Sequence, residues 1–115
     1  MGKKEIHAKC KYKNAKTIVE TSLMENSFRV RYKGDMGIAE KGNKTLRFFL
    51  GGMIDFCKIE FQVKKRKKGS LVTLKNRTSK VSGGVIGTSK AEEMFEDAVE
   101  GLIEKFRESD IEVNL

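Results

Sequence analysis

The chain contains no proline and no tryptophan, and only one histidine and two cysteines among 115 residues. Each scarcity closes off a class of function. Without proline there is no proline-rich linker or recognition tail. Cys10 and Cys57 form no CxxC spacing, so neither a zinc knuckle nor a thioredoxin-type site is indicated. Both read as inward-facing strand positions, where a free thiol behaves as a small hydrophobe. His7 falls on the polar side of a strand with Cys10 on the other side, so no Cys/His or Ser/His/Asp arrangement gathers around it. Asp35, Asp55 and Glu60 are scattered and suggest no pair of catalytic carboxylates. No apolar run approaches the roughly 20 residues of a membrane span, and no apolar signal-peptide core follows the basic start. Met1-Gly2 lacks the Ser or Thr of a myristoylation signal, with Ile6 in that place. These observations predict a single cytoplasmic domain over 1–115, non-enzymatic, with no catalytic residues, no metal and no cofactor.

What is present is enough apolar material to fold and an uneven distribution of charge. Leu, Ile, Val and Phe make up 30 of the 115 residues, above the roughly 20% below which disorder is the default. A chain of this length buries about two thirds of its unfolded surface. The net charge is +8. Residues 88–115 hold three basic and nine acidic residues, a net of −6, which leaves 21 basic and 7 acidic residues and a net of +14 in 1–87. Such asymmetry marks either a solvated basic sheet or a face for a polyanion.

Periodicity orders the elements. Ile6, Ala8, Cys10 and Tyr12 alternate with charged neighbours over 5–13, the period of a half-buried antiparallel strand. Asn14 suits a helix N-cap, and Ala15, Ile18, Val19, Ser22 and Leu23 follow with helical spacing, up to Asn26. Phe28, Val30 and Tyr32 form a second strand, broken at Gly34, Asp35 and Gly37. Residues 38–44 are ambiguous. Leu46 to Leu50 reads as a third strand and 53–64 as the longest one, with Cys57, Ile59, Phe61 and Val63 inward. Lys64-Lys65-Arg66-Lys67-Lys68 is the tip of a hairpin whose return strand covers 70–76. A further strand is expected over 79–86. Ser89-Lys90-Ala91-Glu92 is a capping box, and Ala91, Met94, Phe95, Ala98, Val99, Leu102, Ile103 and Phe106 trace the apolar stripe of a helix over about 90–108. Ile111, Val113 and Leu115 suit an edge strand. The fold class is therefore α+β: a curved antiparallel sheet of about five to six strands, with a short N-terminal helix and a long C-terminal helix packed on one face.

Two features invite an anion. The corner Ser82-Gly83-Gly84-Val85-Ile86-Gly87-Thr88-Ser89 leads into the capped helix, a place where backbone N–H groups and a helix N-terminus meet. It matches neither the Walker nor the dinucleotide pattern, and its GxxG spacing follows a strand, where a KH loop follows a helix. The run 64–68 is the second. Arg29, Arg31 and Lys58 extend it if their strands lie side by side, a surface suited to phosphates of nucleic acid or of an anionic membrane. No basic recognition helix is present, and Phe49 alone is an outward aromatic candidate for base stacking. The competing expectation is a small apolar ligand held between sheet and long helix by Met53, Phe56, Phe61, Met94 and Phe95.

Lys3-Lys4-Glu5, the early helix, the strand block, Ser82-Gly83-Gly84 and Ala91-Glu92-Glu93-Met94-Phe95 together resemble a family of short uncharacterised proteins of anaerobic Gram-positive bacteria. That resemblance implies a fold and no mechanism. The element order is also similar to the helix-grip (START and Bet v 1-like) proteins, which implies a sheet wrapped over a ligand cavity. The pairing of a basic sheet with a terminal helix is similar to lipid-head-group modules of the kinase-associated type.

Overall fold

The computed structural model describes residues 2–42, 56–78 and 85–115, with 85–90 as backbone only. The elements are β1 (Lys3–Ala8), α1 (Tyr12–Glu25), β2 (Arg29–Lys33), β3 (Met36–Gly42), β4 (Phe56–Arg66), β5 (Gly69–Asn76), α2 (Val85–Glu108) and β6 (Val113–Asn114). All pairings are antiparallel and the spatial order is β2-β3-β4-β5-β1-β6. The α+β class holds, with the long C-terminal helix on the sheet.

Side chains alternate across a strand and directly paired residues share a face. The registers Ile6↔Val72 and Phe61↔Leu74 therefore place Ile6, Val72, Leu74 and Phe61 on one side. There they join Ala15, Val19 and Leu23 of α1 and Phe95, Val99, Leu102 and Phe106 of α2 in one buried cluster. Each large aliphatic or aromatic side chain taken out of water contributes about 1.5–3 kcal/mol, so this cluster is what fastens both helices to the same face. The other face carries most of the charged partners of the alternation, with Ile38, Phe56 and Leu71 buried among them, and neither described helix packs there.

Both helices end alike. Ser27, at φ 69°, follows the last residues of α1. Its N–H bonds the Met24 carbonyl at 3.0 Å, and the Phe28 N–H bonds the Leu23 carbonyl at 2.9 Å. Asp110, at φ 58°, repeats this after α2. Its N–H reaches Arg107 at 3.0 Å, while Ile111 N–H reaches Phe106 at 2.9 Å. These are Schellman motifs, built here without the usual glycine.

Several expectations are corrected. The first strand stops at Ala8: Cys10 lies in a bend and is only half-buried, and Tyr12 opens α1. Asn14 is thus inside the helix; Lys11 holds the N-cap position, with no side-chain capping bond. Of residues 38–44, those up to 42 are strand, within β3, and the last two lie outside the described residues. Val85 and Ile86 are helical, not the end of a strand, and the rest of that strand lies outside the described residues. Since α2 starts at Val85, Ser89 is not its N-cap, the first turn contains no acid, and Gly87, Thr88 and Ser89 belong to helix rather than to an anion-binding loop. Ser82-Gly83-Gly84 and the Leu46–Leu50 strand with Phe49 lie outside the described residues.

Candidate anion-binding site

The basic run divides by strand parity. β4 ends at Arg66, Lys67 and Lys68 form the turn, and β5 begins at Gly69. Lys64 and Arg66 fall on the side opposite the core cluster. Lys65 falls on the other and places its ammonium 5.8 Å from the centre of the Tyr12 ring, at the start of α1. All five residues from Lys64 to Lys68 are exposed.

β1 pairs with β5 such that Ala8 lies opposite Ser70. The segment after β1, Lys9 to Lys11, therefore emerges beside the hairpin tip. Two contacts hold the approach. Ser70 is 2% exposed, and its hydroxyl donates to the Cys10 carbonyl at 2.9 Å. Gly69 has φ +140°, and a Cβ there would stand 2.2 Å from the Ala8 carbonyl oxygen, so only glycine fits this strand start.

Between the two segments lies an open cleft of about 820 Å³. Lys9, Lys11 and Lys13 line one side and Lys65, Arg66, Lys67 and Lys68 the other, with Cys10, Tyr12, Asn14 and Gly69 between them. Among the described residues, seven cations line it and no carboxylate does. Only Lys9 has an acidic partner among the described residues, Glu112 at 3.2 Å. The first intrahelical bond of α1 runs from the Ala15 N–H to the Lys11 carbonyl at 2.9 Å. The N–H groups of Tyr12, Lys13 and Asn14 precede it without a partner among the described residues, and they add the positive end of the helix dipole. Burial raises the Cys10 thiol pKa above its ordinary value, so the sulfur in this cleft stays protonated near neutrality.

The remaining cations expected to act with the tip do not gather there. Arg29 lies on edge strand β2 and donates to the Gly42 carbonyl at 2.6 Å. Arg31 stands 3.7 Å from Glu40, and Lys58 is paired in register with the same Glu40. Arg77 bonds Glu60 at 2.8 Å on this face. With Glu5, Glu40 and Glu60 interspersed, the face opposite the core is mixed in sign, whereas the described lining of the cleft is not. Lys9, Lys11 and Lys13 were missed as site residues because they read as the solvent side of one long strand. The available signal was a lysine at every second position across a strand-to-helix corner.

Of the described residues expected to line an apolar pocket, three lie in or against the core and one faces the other side of the sheet. Phe61 and Phe95, both 2% exposed, belong to the core cluster and Met94 packs against it. The Phe61 ring covers Gly37, where a Cβ would come within 2.2 Å of it, and meets Tyr32 edge-on at 5.8 Å. Phe56 is buried but has the strand parity of Lys58, opposite to Phe61, and is not part of that cluster. Met53 lies outside the described residues. Among the described residues no three His, Cys, Asp or Glu side chains are grouped to hold a metal, and no helix is long and apolar enough to cross a membrane. No protein-family model matches the chain, and no curated protein sequence does either.

Proposed function

We propose that this chain is a non-enzymatic binding protein for an anionic, phosphate-bearing surface, nucleic acid or acidic lipid. Its contact is the 64–68 hairpin together with the start of α1. One observation carries the reading: seven cations from two separated segments converge on a cleft that no carboxylate lines among the described residues. Crowding like charges raises the local potential, and an incoming anion relieves it. Arg29, Arg31 and Lys58 all lie around the one carboxylate of Glu40 and contribute a weaker, longer-range field.

A fluorescence titration against single-stranded DNA, RNA and anionic vesicles at several salt concentrations tests the reading. Changing Lys65, Arg66 and Lys67 to Ser removes charge from an exposed tip and leaves the fold intact. Each lost phosphate contact reduces the slope of log K against log salt by about 0.7–0.9. Absence of binding to all three at low salt, where a net charge of +8 most favours attraction, overturns it.

A further inference from the structure

We infer that the cleft between the hairpin tip and the start of α1 is a discrete site for one compact ligand bearing clustered phosphates. Such a group is either a multiply phosphorylated lipid headgroup or a free oligophosphate. The inference rests on the anion-binding reading above and narrows it from a surface to a site.

Size is the first argument. At about 820 Å³ the cleft falls within the roughly 300–1,000 Å³ range of small-molecule sites. An extended polymer must continue past the cleft, and the sheet face opposite the core presents Glu5 and Glu60 beside Lys64, Arg66 and Lys75. A compact anion within the cleft meets only cations among the charged side chains described as lining it.

Donor geometry is the second. Lys11 and Lys13 come from the helix start, and Lys65, Lys67 and Lys68 from the opposite wall. Charge thus approaches from two sides, as several phosphates on one small scaffold require. Three helix N–H groups open the same end of α1, and backbone N–H groups there complement phosphate oxygens. Lysine ammonium groups act as point charges that adapt to varied phosphate positions.

Pre-organisation is the third. The two walls are joined beneath the cleft by the Ser70–Cys10 hydrogen bond at 2.9 Å and by the close approach of Gly69 to Ala8. Their spacing is set before any ligand arrives, which reduces the ordering cost of binding.

The test is calorimetric titration of the full chain with inositol hexakisphosphate and with inorganic tripolyphosphate, alongside poly(U) RNA. Saturable binding at one site per chain is expected. Changing Lys11, Lys13 and Lys65 together to Ser should weaken it by about tenfold or more, the loss of one or two charge-assisted contacts. Changing Arg29, Arg31 and Lys58 to Ser removes the same formal charge and should weaken it by less than about threefold, since long-range attraction is screened. Unaltered thermal unfolding of both variants shows that the fold is retained. Equal losses from the two triple variants, or many weak sites per chain, overturn the discrete site while poly(U) still binds. If neither poly(U) nor anionic vesicles bind at low salt, the broader anion-binding reading fails instead. Vesicles carrying phosphatidylinositol bisphosphate, compared with phosphatidylserine vesicles of equal charge and with the soluble phosphates, separate the two sources. Tighter binding to the bisphosphate vesicles assigns a headgroup, and tighter binding to the soluble phosphates assigns a free anion.

Discussion

The Ser70 hydroxyl donates a 2.9 Å hydrogen bond to the carbonyl of Cys10, sixty positions earlier in the chain. This one bond ties the base of the basic hairpin to the corner where β1 becomes α1. Ser70→Ala is expected to cost about 0.5–1.5 kcal/mol, the net worth of a neutral hydrogen bond. Gly69→Ala is expected to cost more, about 1–3 kcal/mol, because it adds an overpacked methyl and a strained φ. Urea denaturation of both variants checks the order; a larger loss from Ser70→Ala would show that the close approach of Gly69 and Ala8 is soft.

The apolar stripe of α2 makes a sharper stability prediction. Leu102 is 0% exposed at the centre of the core, and Leu102→Ala should lose roughly 2–5 kcal/mol through lost transfer energy and the cavity left behind. Glu100 is exposed on the same helix, and Glu100→Ala should stay within about 0.5 kcal/mol. Paired chemical denaturation curves settle the difference.

The helix ends offer the opposite sign. Ser27 adopts φ 69° at the end of α1, a conformation costing an L residue about 1–2 kcal/mol and glycine little. After allowing for the greater freedom of an unfolded glycine, Ser27→Gly should stabilise by about 0.5–1 kcal/mol. Asp110→Gly should also stabilise, through relief at φ 58° and removal of a negative charge beside a helix C-terminus. A rise in Tm for each variant is the expected readout; a fall would show that the side chains make compensating bonds.

Tyr32 supplies a pH dependence. Burial raises its phenol pKa well above the usual tyrosine range of about 10, and the Glu20 carboxylate that accepts its hydrogen bond raises it further. The native state therefore holds this proton more tightly than the unfolded chain. The resulting stability is complete below the unfolded tyrosine pKa and is lost as pH rises from there toward the native value. An ultraviolet titration should show one phenol ionising late, and Glu20→Gln should bring that step to lower pH. An unchanged midpoint would remove Glu20 as a cause.

The two thiols should separate kinetically. Cys57 is 0% exposed and its thiol donates to the Ala91 carbonyl at 3.6 Å, so Ellman's reagent should reach it only on unfolding. Cys10 is half-buried in the open cleft and should react in the native protein. It should react more slowly than a free thiol, because its raised pKa reduces the reactive thiolate. Mass spectrometry of the labelled peptides identifies which one reacts; equal native rates would contradict the burial of Cys57.

How much of this was legible in the sequence depended on how local each cause is. The α2 stripe from Ala91 to Phe106 could be read because a helical period repeats within a single segment. The hairpin at 64–68 was equally plain, its tip marked by Gly69-Ser70 between alternating strands. The β1–α1 corner was not. The alternation of Ile6 and Ala8 continues formally through Cys10 and Tyr12, but the strand ends at Ala8, where the Cys10 N–H turns back to the Ala8 carbonyl at 2.9 Å. Lys9 N–H bonds the Glu112 carbonyl at 2.9 Å, a partner near the other end of the chain. The start of α2 was misplaced because Ser89-Lys90-Ala91-Glu92 satisfies a capping box that the helix overrides by continuing back to Val85. The cleft itself depended on the β1–β5 register, and no local pattern announces that Ala8 lies opposite Ser70.

That register also constrains how the chain is made. β1 sits between β5 and β6, so both of its edges wait for partners that emerge later from the ribosome. At roughly 5–20 residues per second, the sixty or so residues that separate β1 from β5 take about 3–12 s to appear. During that interval β1 is an unpaired strand with one apolar side, a segment open to wrong pairing. Its solvent side offers Lys3, Glu5 and His7, and the lysines at 9, 11 and 13 follow at once. The lysines that later line the cleft thus first serve as gatekeepers, keeping nascent copies apart by charge until the sheet can close.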